Sequence, residues 1–347
     1  MRLLKKRHAA VDMRFTIAER YRPFSHQPGT SSVLPGTNLR FQIFPSLVRV
    51  FEEDTVVSEI NLAVLGPVKD FTVQLDLEKG RIRVWGTAST GYMRYSIYPA
   101  STQEKFVLVQ ETGEKDKAPE CKKVTLERLS LGSSKAQDWD MVKRRFDMTE
   151  ILPVWFFLGQ QIEEKDCAPA EGTAAFLHEC RRAIISDDSR RLLEPFKLLF
   201  QSGFDGILAP RKTDSDHQGF HLPPVASDFS SIALLSDGAK LIRSLFFSYN
   251  DCVVDILPAL PVEFHSGRFI DLKCGTQGTL DMEWTKKAIR RVIFRANENG
   301  VIRFALSREI NQFRLRLSET DRGQKLEPGT PIEIVAGKTY YLDRFEK

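Results

Sequence analysis

The chain has 347 residues, and 42% of them are hydrophobic. At roughly 100 to 200 residues per domain, this length predicts two or three domains and excludes a single small one. Lys and Arg number 50 and Asp and Glu 46, so the formal charge of +4 is spread over both signs and does not indicate a nucleic-acid partner.

The N-terminus and the apolar runs indicate the subcellular location of the protein. The basic start MRLLKKRHAAVDMRF lacks the apolar run of about 7 to 15 residues that is typical of a secretory signal. The longest apolar runs are broken by Pro or by charged residues well short of about 18 residues, so we predict no membrane span. We therefore expect a cytoplasmic protein.

The cysteines show no metal-binding or disulfide pattern. They lack CxxC spacing, and none lies at a zinc-like interval from a pair of histidines. They fit free, buried thiols in a reducing compartment, and we expect no cofactor and no metal. The five are Cys121, Cys167, Cys180, Cys252 and Cys274.

The N-terminal part has the pattern of short strands. Residues 40–109 alternate polar with β-branched or aromatic residues between Gly, Pro and Asp breaks. Lys79-Gly80 lies between two such runs and predicts a hairpin turn. The polar stretch QETGEKDKAPECKK, residues 110–123, predicts a loop or a long hairpin tip. We expect an antiparallel β sandwich within residues 1–130.

Residues 131–250 lose the alternation and predict a helical segment. Apolar residues repeat at steps of three and four over 230–249, which indicates a mostly buried helix. An earlier helix is expected to have Ser186 as its N-cap, to stop at Gly203 and to be kinked or divided at Pro195.

Strand patterns resume over residues 251–347 and predict a C-terminal β sandwich. Its tail, TPIEIVAGKTYYLDRF, indicates two strands around Ala336-Gly337. The chain is thus expected to be a multidomain α+β protein. Its predicted order is an N-terminal antiparallel sandwich, a helical layer and a C-terminal sandwich.

The stretch DCVVDILPALPVEFHSGRF, which leaves the last helix, resembles a known family. In glycoside hydrolase family 95, the 1,2-α-L-fucosidases, and in related (α/α)₆-barrel enzymes, a similar segment leads from the last barrel helix into the C-terminal sandwich. The matching residues here are Leu257–Pro261, Gly267, Gly278 and Trp284. The resemblance covers residues 230–285. It implies a β sandwich, a helical barrel and a second sandwich, in that order. The whole chain also loosely resembles uncharacterised chlamydial proteins, which implies a bacterial origin.

Length limits how much of that barrel is present. The 118 residues from Ser133 to Asn250 hold about seven helices at roughly 16 residues per helix and connection. A barrel of twelve helices does not fit, so we expect an incomplete α/α barrel.

The resemblance also implies two catalytic carboxylates. The family's base corresponds most closely to Asp228 in PPVASDFSS, where the glycines and the Asn of the family motif are missing. For the acid, a Glu from an earlier helix, the candidates are Glu150, Glu179 and Glu194, and no motif selects among them. Loss of most of the barrel leaves the pair incomplete.

The loop FDGILAPRKTDSDHQGFHLPP concentrates polar chemistry. Two carboxylates with two imidazoles can serve as acid and base or bind a polar ligand, and the alternative is a solvated polar loop. The Asp-x-Asp-His spacing lacks the ligand pattern of calcium or zinc loops. The catalytic candidates are Asp214, Asp216 and Asp228, and the ligand-binding candidates are Arg211, His217, His221 and Trp155.

Two classes of function remain open. The first is a non-catalytic, glycoside-hydrolase-derived protein that binds a carbohydrate or another protein. The second is a glycoside hydrolase or phosphorylase that uses Asp214, Asp216 and Asp228 in an unusual pocket. The shortened barrel favours the first. A secreted effector or assembly factor is a third possibility. Trp155 is either a sugar platform or, at helical spacing among apolar residues, part of the core.

Overall fold

The described residues of the computed structural model are 14–100, 105–111, 125–133, 135–165, 168–186, 190–318 and 320–347. Most of the predicted loop at 110–123 lies outside these ranges, as do Cys121 and Cys167. Within them, no helix is long and apolar enough to cross a bilayer.

The N-terminal part contains two antiparallel sheets. Its strands are β1 (Phe24–Ser25), β2 (Thr30–Val33), β3 (Leu39–Ile43), β4 (Leu47–Glu52), β5 (Thr55–Asn61), β6 (Lys69–Asp76), β7 (Arg81–Ala88), β8 (Gly91–Pro99) and β9 (Phe106–Gln110), and β10 (Arg128–Leu131) follows. One sheet has the order β2-β3-β4-β5 and the other β1-β6-β7-β8-β9. The predicted turn at Lys79-Gly80 joins β6 to β7, and Gly80 takes the positive φ that this turn requires.

Five helices follow in the described residues, with a short hairpin between the last two. They are α1 (Trp139–Arg145), α2 (Met148–Gly159), α3 (Ala174–Ile185), α4 (Leu193–Gly203) and α5 (Ala233–Phe246), and the hairpin consists of β11 (Phe204–Asp205) and β12 (Ala209–Pro210). Five helices are too few for a twelve-helix barrel. Helix α2 is almost wholly buried and packs on α5, because small residues let the two backbones approach. A Cβ on Gly159 would stand 2.4 Å from the carbonyl oxygen of Leu235.

The prediction for the start of α4 was wrong. Ser186 lies at the C-terminal end of α3, where its backbone N–H donates to the carbonyl of Arg182 at 3.0 Å. Helix α4 begins at Leu193, so Pro195 falls in its first turn. The backbone N–H groups of a first turn have no partner within the helix, and a proline there neither removes a hydrogen bond nor kinks the helix.

The C-terminal part contains two further sheets. Its strands are β13 (Phe247–Asn250), β14 (Val253–Ile256), β15 (Ser266–Cys274), β16 (Gly278–Thr285), β17 (Ala288–Ala296), β18 (Gly300–Ala305), β19 (Gln312–Arg316), β20 (Gln324–Leu326), β21 (Ile332–Ile334) and β22 (Thr339–Glu346). One sheet has the order β10-β15-β16-β17-β22-β19-β20, and the other β13-β14-β18-β21. The two predicted tail strands, β21 and β22, are present but belong to different sheets.

The Leu-Pro-Ala-Leu-Pro segment closes the C-terminal end of α5. The amides of Leu257 and Ala259 donate to the carbonyls of Phe246 and Leu245, at 2.8 and 3.3 Å. These carbonyls lie in the last turn of α5, where carbonyl groups have no amide donor within the helix. Pro258 lies between the two donors, at a position where no amide is needed.

The aromatic and glycine residues of this region pack together. The indole N–H of Trp284 donates to the carbonyl of Phe264 at 3.2 Å, and Phe246 lies against both rings. A Cβ on Gly267 would stand 2.3 Å from the Trp284 ring. The residues that carry the family resemblance therefore have a packing role here.

A buried ion pair joins the parts of the chain. The carboxylate of Glu127, just before β10, accepts from the Arg243 guanidinium of α5 at 2.7 and 2.9 Å. It also accepts from the backbone N–H of Lys273 in β15 at 2.8 Å. The Gln160 side chain, at the end of α2, exchanges two hydrogen bonds with the Glu127 backbone. A single hydrophobic cluster runs through both β regions and the helices around this point.

Removing the charge of Glu127 should destabilise the fold measurably. Glu127→Gln leaves Arg243 without its counter-ion in a buried setting, and breaking such a pair costs about 3 kcal/mol. We take the low end of the range because the Arg243 side chain stays 26% exposed. Urea unfolding measures the change. Glu59→Gln, which breaks an exposed pair with Arg49, is the control and should cost less than about 1 kcal/mol. Equal losses in the two variants would contradict the prediction.

Candidate ligand-binding site

Residues 211–228, between β12 and α5, form a loop whose two ends are in contact. We refer to these residues as the closed loop. The Lys212 Nζ lies 3.3 Å from an Asp228 Oδ1 and 5.4 Å from the centroid of the Phe229 ring. Loops whose ends meet in this way are compact and often functional. The polar residues predicted as a site therefore share one well-defined surface element.

The first limb of the closed loop is bonded to the start of α3. The backbone N–H of Thr173 donates to the carbonyl of Lys212 at 2.9 Å, and its hydroxyl donates to the carbonyl of Arg211 at 2.6 Å. Gly172 has a φ of +49°, and a Cβ there would stand 2.1 Å from the Lys212 carbonyl oxygen. Only glycine allows this close approach without strain.

The second limb is held by Gly172 and by its neighbour Glu171. The backbone N–H of Gly172 donates to the Pro223 carbonyl at 2.9 Å. The Glu171 carboxylate accepts from the amides of Ala226 and Ser227, both at 2.8 Å. These amide donors favour the charged form, so they hold the pKa of Glu171 below its ordinary value of 4.5.

Arg211 has a structural partner for each of its nitrogens. Its Nε and Nη2 donate to the carbonyls of Ser202 and Gln201, at 2.8 and 3.1 Å, in the last turn of α4. A cation at this end of a helix satisfies free carbonyls and complements the dipole. The Nη1 donates to Asp216 at 2.7 Å. Arg211, predicted as a ligand-binding residue, thus anchors the closed loop to α4.

Asp214 differs from the other carboxylates of the closed loop. Its side chain is only 9% exposed, yet the buried Oδ1 accepts no hydrogen bond from any described residue. The nearest cation, the Arg211 Nη2, is 3.9 Å from Oδ1. A buried polar group without a partner is costly, and a charged one more so. Asp214 is therefore the residue of this surface that a ligand would stabilise.

Two shallow grooves flank the closed loop. The first, about 380 Å³, contains Asp214 and His217 and has an apolar wall formed by Phe220, Leu222, Pro223, Pro224 and Val225. We call it the Phe220 groove. The second, about 650 Å³, lies between the closed loop and the β4–β5 turn and includes Asp54, Lys212, Ser215 and Asp228. We call it the Asp54 groove.

The other predicted residues are distributed unevenly. His217 lines the Phe220 groove, whereas His221 is exposed and lines neither groove. Asp228 lines the Asp54 groove with its side chain fully exposed. Asp216 is 60% exposed and bound to Arg211. Trp155 is fully buried, with its ring against Phe204 and close to Gly238.

The prediction of Trp155 as a ligand-binding residue has to be corrected. A sugar can stack only on an aromatic face that it can reach from solvent, and this ring is enclosed by core residues on α4, β11 and α5. The three candidate acids on the helices also lie away from the grooves. Glu150, for example, binds Lys135 and Arg145 instead.

Sequence reasoning missed three residues of this surface. Glu171 and Gly172 precede a helix and belong to no sequence motif. They matter because both limbs of the closed loop contact them. Asp54 lies more than 150 residues before the closed loop, and only tertiary contact brings it to the groove. Among the described residues, no group of three or more His, Cys, Asp or Glu side chains is placed to hold a metal ion.

Comparisons with known proteins assign no family. No family model and no curated protein matches the chain. Among solved structures, the chain is similar to a GH127 β-L-arabinofuranosidase from Geobacillus stearothermophilus T6, at 14% identity and a TM-score of 0.20. The match covers 52% of this chain and only 32% of that one. A likeness at this TM-score carries no argument, so the descent from a helical-barrel glycoside hydrolase stays a prediction.

A side chain on Gly172 should dislodge the closed loop. In Gly172→Ala the added Cβ meets the Lys212 carbonyl and the positive φ is strained, so we expect a loss of about 2 to 4 kcal/mol. Urea unfolding measures stability, and trypsin cleavage after Arg211 and Lys212 reports the state of the loop. Gly219→Ala is a matched control, because its φ is also positive but nothing lies within 4 Å. It should cost about 1 kcal/mol. Similar behaviour of both variants would show that the close approach does not matter.

The Glu171 contact should be lost in acid. Because its pKa is lowered in the folded state, the stabilisation is present above pH 4.5 and disappears as the pH falls through the lowered folded-state value. The backbone amide shifts of Ala226 and Ser227, followed by NMR, should titrate with a midpoint below 4.5. Glu171→Gln should abolish this titration. A midpoint at or above 4.5 would contradict the assignment.

Proposed function

We propose that this protein is a non-catalytic binding protein and that the Phe220 groove binds a carbohydrate. The observation that carries the proposal is the Asp214 side chain, which is nine-tenths buried beside the groove and whose Oδ1 has no hydrogen-bond donor among the described residues. A ligand hydroxyl supplies that donor. The gain comes from Oδ1, which is buried and without a hydrogen-bond partner in the free protein.

The groove's composition supports a sugar in particular. Phe220 and the neighbouring prolines offer an apolar wall, and the Asp214 carboxylate and the His217 ring add polar groups. Sugars present apolar C–H faces and hydroxyl donors side by side, and so match both parts. Phe220 is kept in place by an edge contact with Phe176 of α3, at 5.9 Å between ring centroids.

The arrangement of the carboxylates supports binding without catalysis. Glycoside hydrolysis needs two carboxyl groups that face each other across the bond to be cleaved. Here Asp216 is engaged by Arg211, and Asp228 by Lys212. Only Asp214 of the three belongs to the Phe220 groove. The groove is also open to water, and an enclosed active site is not formed there.

The architecture belongs to the same proposal. We take the paired N-terminal and C-terminal sheets as two β sandwiches on either side of a shortened helical layer, with units at 1–130, 131–250 and 251–347. Strand β10, at the boundary of the first two units, pairs with β15 and so ties the first unit to the last. In this arrangement the helical layer serves to present the closed loop.

A panel of neutral oligosaccharides tests the proposal. We expect at least one to bind the full chain in calorimetry, and Asp214→Ala to weaken that binding by tenfold or more, since about 1.4 kcal/mol corresponds to tenfold. Glu263→Gln, an exposed carboxylate on a different part of the surface, is the control and should bind as the unaltered protein does. Turnover of any glycoside would contradict the non-catalytic part. Absence of binding to every saccharide would contradict the carbohydrate part.

A further inference from the structure

The charges of the closed loop do not balance. It contains two cations, Arg211 and Lys212, and three carboxylates. Arg211 is paired with Asp216 at 2.7 Å, and Lys212 with Asp228 at 3.3 Å. The remaining carboxylate, Asp214, is the most deeply buried of the three side chains.

Arg211 compensates the charge of Asp214 only in part. At 3.9 Å from Oδ1, its Nη2 makes no hydrogen bond to the carboxylate and donates instead to the Gln201 carbonyl. Its other nitrogens are bound to the Ser202 carbonyl and to Asp216. The ion pair with Asp214 is thus long and lacks a hydrogen bond, so Asp214 is compensated more weakly than Asp216, which lies 2.7 Å from the same guanidinium. Burial of an incompletely compensated charge is destabilising, and a cation on the ligand offsets that penalty.

We infer that the ligand of the Phe220 groove carries a cationic nitrogen, as an amino sugar does. This inference rests on the proposed carbohydrate function and narrows it to one class of saccharide. An ammonium group next to Asp214 makes a charge-assisted hydrogen bond, which is stronger than the bond from a neutral hydroxyl. Phe220 adds an aromatic face for the same cation.

Two oligosaccharides of equal length separate this inference from the proposed function. A glucosamine tetramer carries an amine on each ring, whereas the N-acetylglucosamine tetramer has the same linkage and no charge. Calorimetry with the full chain should give at least about tenfold tighter binding of the glucosamine tetramer. Asp214→Asn should abolish the difference, and Glu263→Gln should preserve it.

Each outcome has a distinct meaning. Equal affinity for the two tetramers overturns the inference and leaves the carbohydrate function standing. A preference that survives in Asp214→Asn also overturns it, because the attraction would then come from other charges. No binding of either tetramer, nor of any neutral saccharide, overturns the proposed function together with the inference. No binding of either tetramer, with binding of other neutral saccharides, overturns the inference alone.

The Asp214→Asn variant also provides an independent measurement. Asn has the same shape and no charge, so the variant removes a weakly compensated buried charge and should have a melting temperature equal to or above that of the unaltered protein. A lower melting temperature would show that Asp214 is already stabilised within the fold, and the inference would fail on that ground alone.

Discussion

The Glu127–Arg243 ion pair is the constraint on which the arrangement of the protein depends. Glu127 stands where the chain leaves the N-terminal sheets, and its partners come from α5 and β15, while Gln160 of α2 binds its backbone. Hydrophobic burial holds these elements together but specifies their relative position only loosely. A buried charge with bidentate and backbone partners has one favourable geometry, so it selects a single position of the helices against the C-terminal sheet.

The candidate site follows from that arrangement. With α5 in position, the closed loop is attached to the start of α3 and to the end of α4. Thr173 makes the first attachment and Arg211 the second. The β4–β5 turn reaches the opposite side, where Glu53 accepts from Ser230 and from the Ser231 amide before α5. The loop is bonded through its backbone groups and through the side chains of Arg211 and Lys212, and none of these hydrogen bonds uses the Asp214 carboxylate. The loop can therefore keep its shape while the Asp214 Oδ1 lacks a hydrogen-bond donor.

Local sequence patterns correctly predicted the turns, helices and strands that depend on neighbouring residues. The turn at Lys79-Gly80, the buried helix within 230–249 and the strands after residue 251 follow from period and turn chemistry, and all are present. Ser186 was misassigned because a serine satisfies either end of a helix, and the residues that separate α3 from α4 give no periodic signal. Trp155 was ambiguous for a similar reason, since a buried aromatic residue and a sugar platform have the same local pattern.

The amino-acid sequence alone predicts the order of strands and helices, the room for only a few helices and the loop in which polar side chains are concentrated. These depend on residue spacing, which is a property of neighbours along the chain. Which carboxylate of that loop lacks a hydrogen-bond donor depends on the folded chain. Asp214, Asp216 and Asp228 are alike in sequence, and they differ because Arg211 and Lys212 donate to Asp216 and Asp228, whereas Asp214 has only a long ion pair with Arg211. Pairing and burial are set by contacts between distant residues, which spacing does not encode.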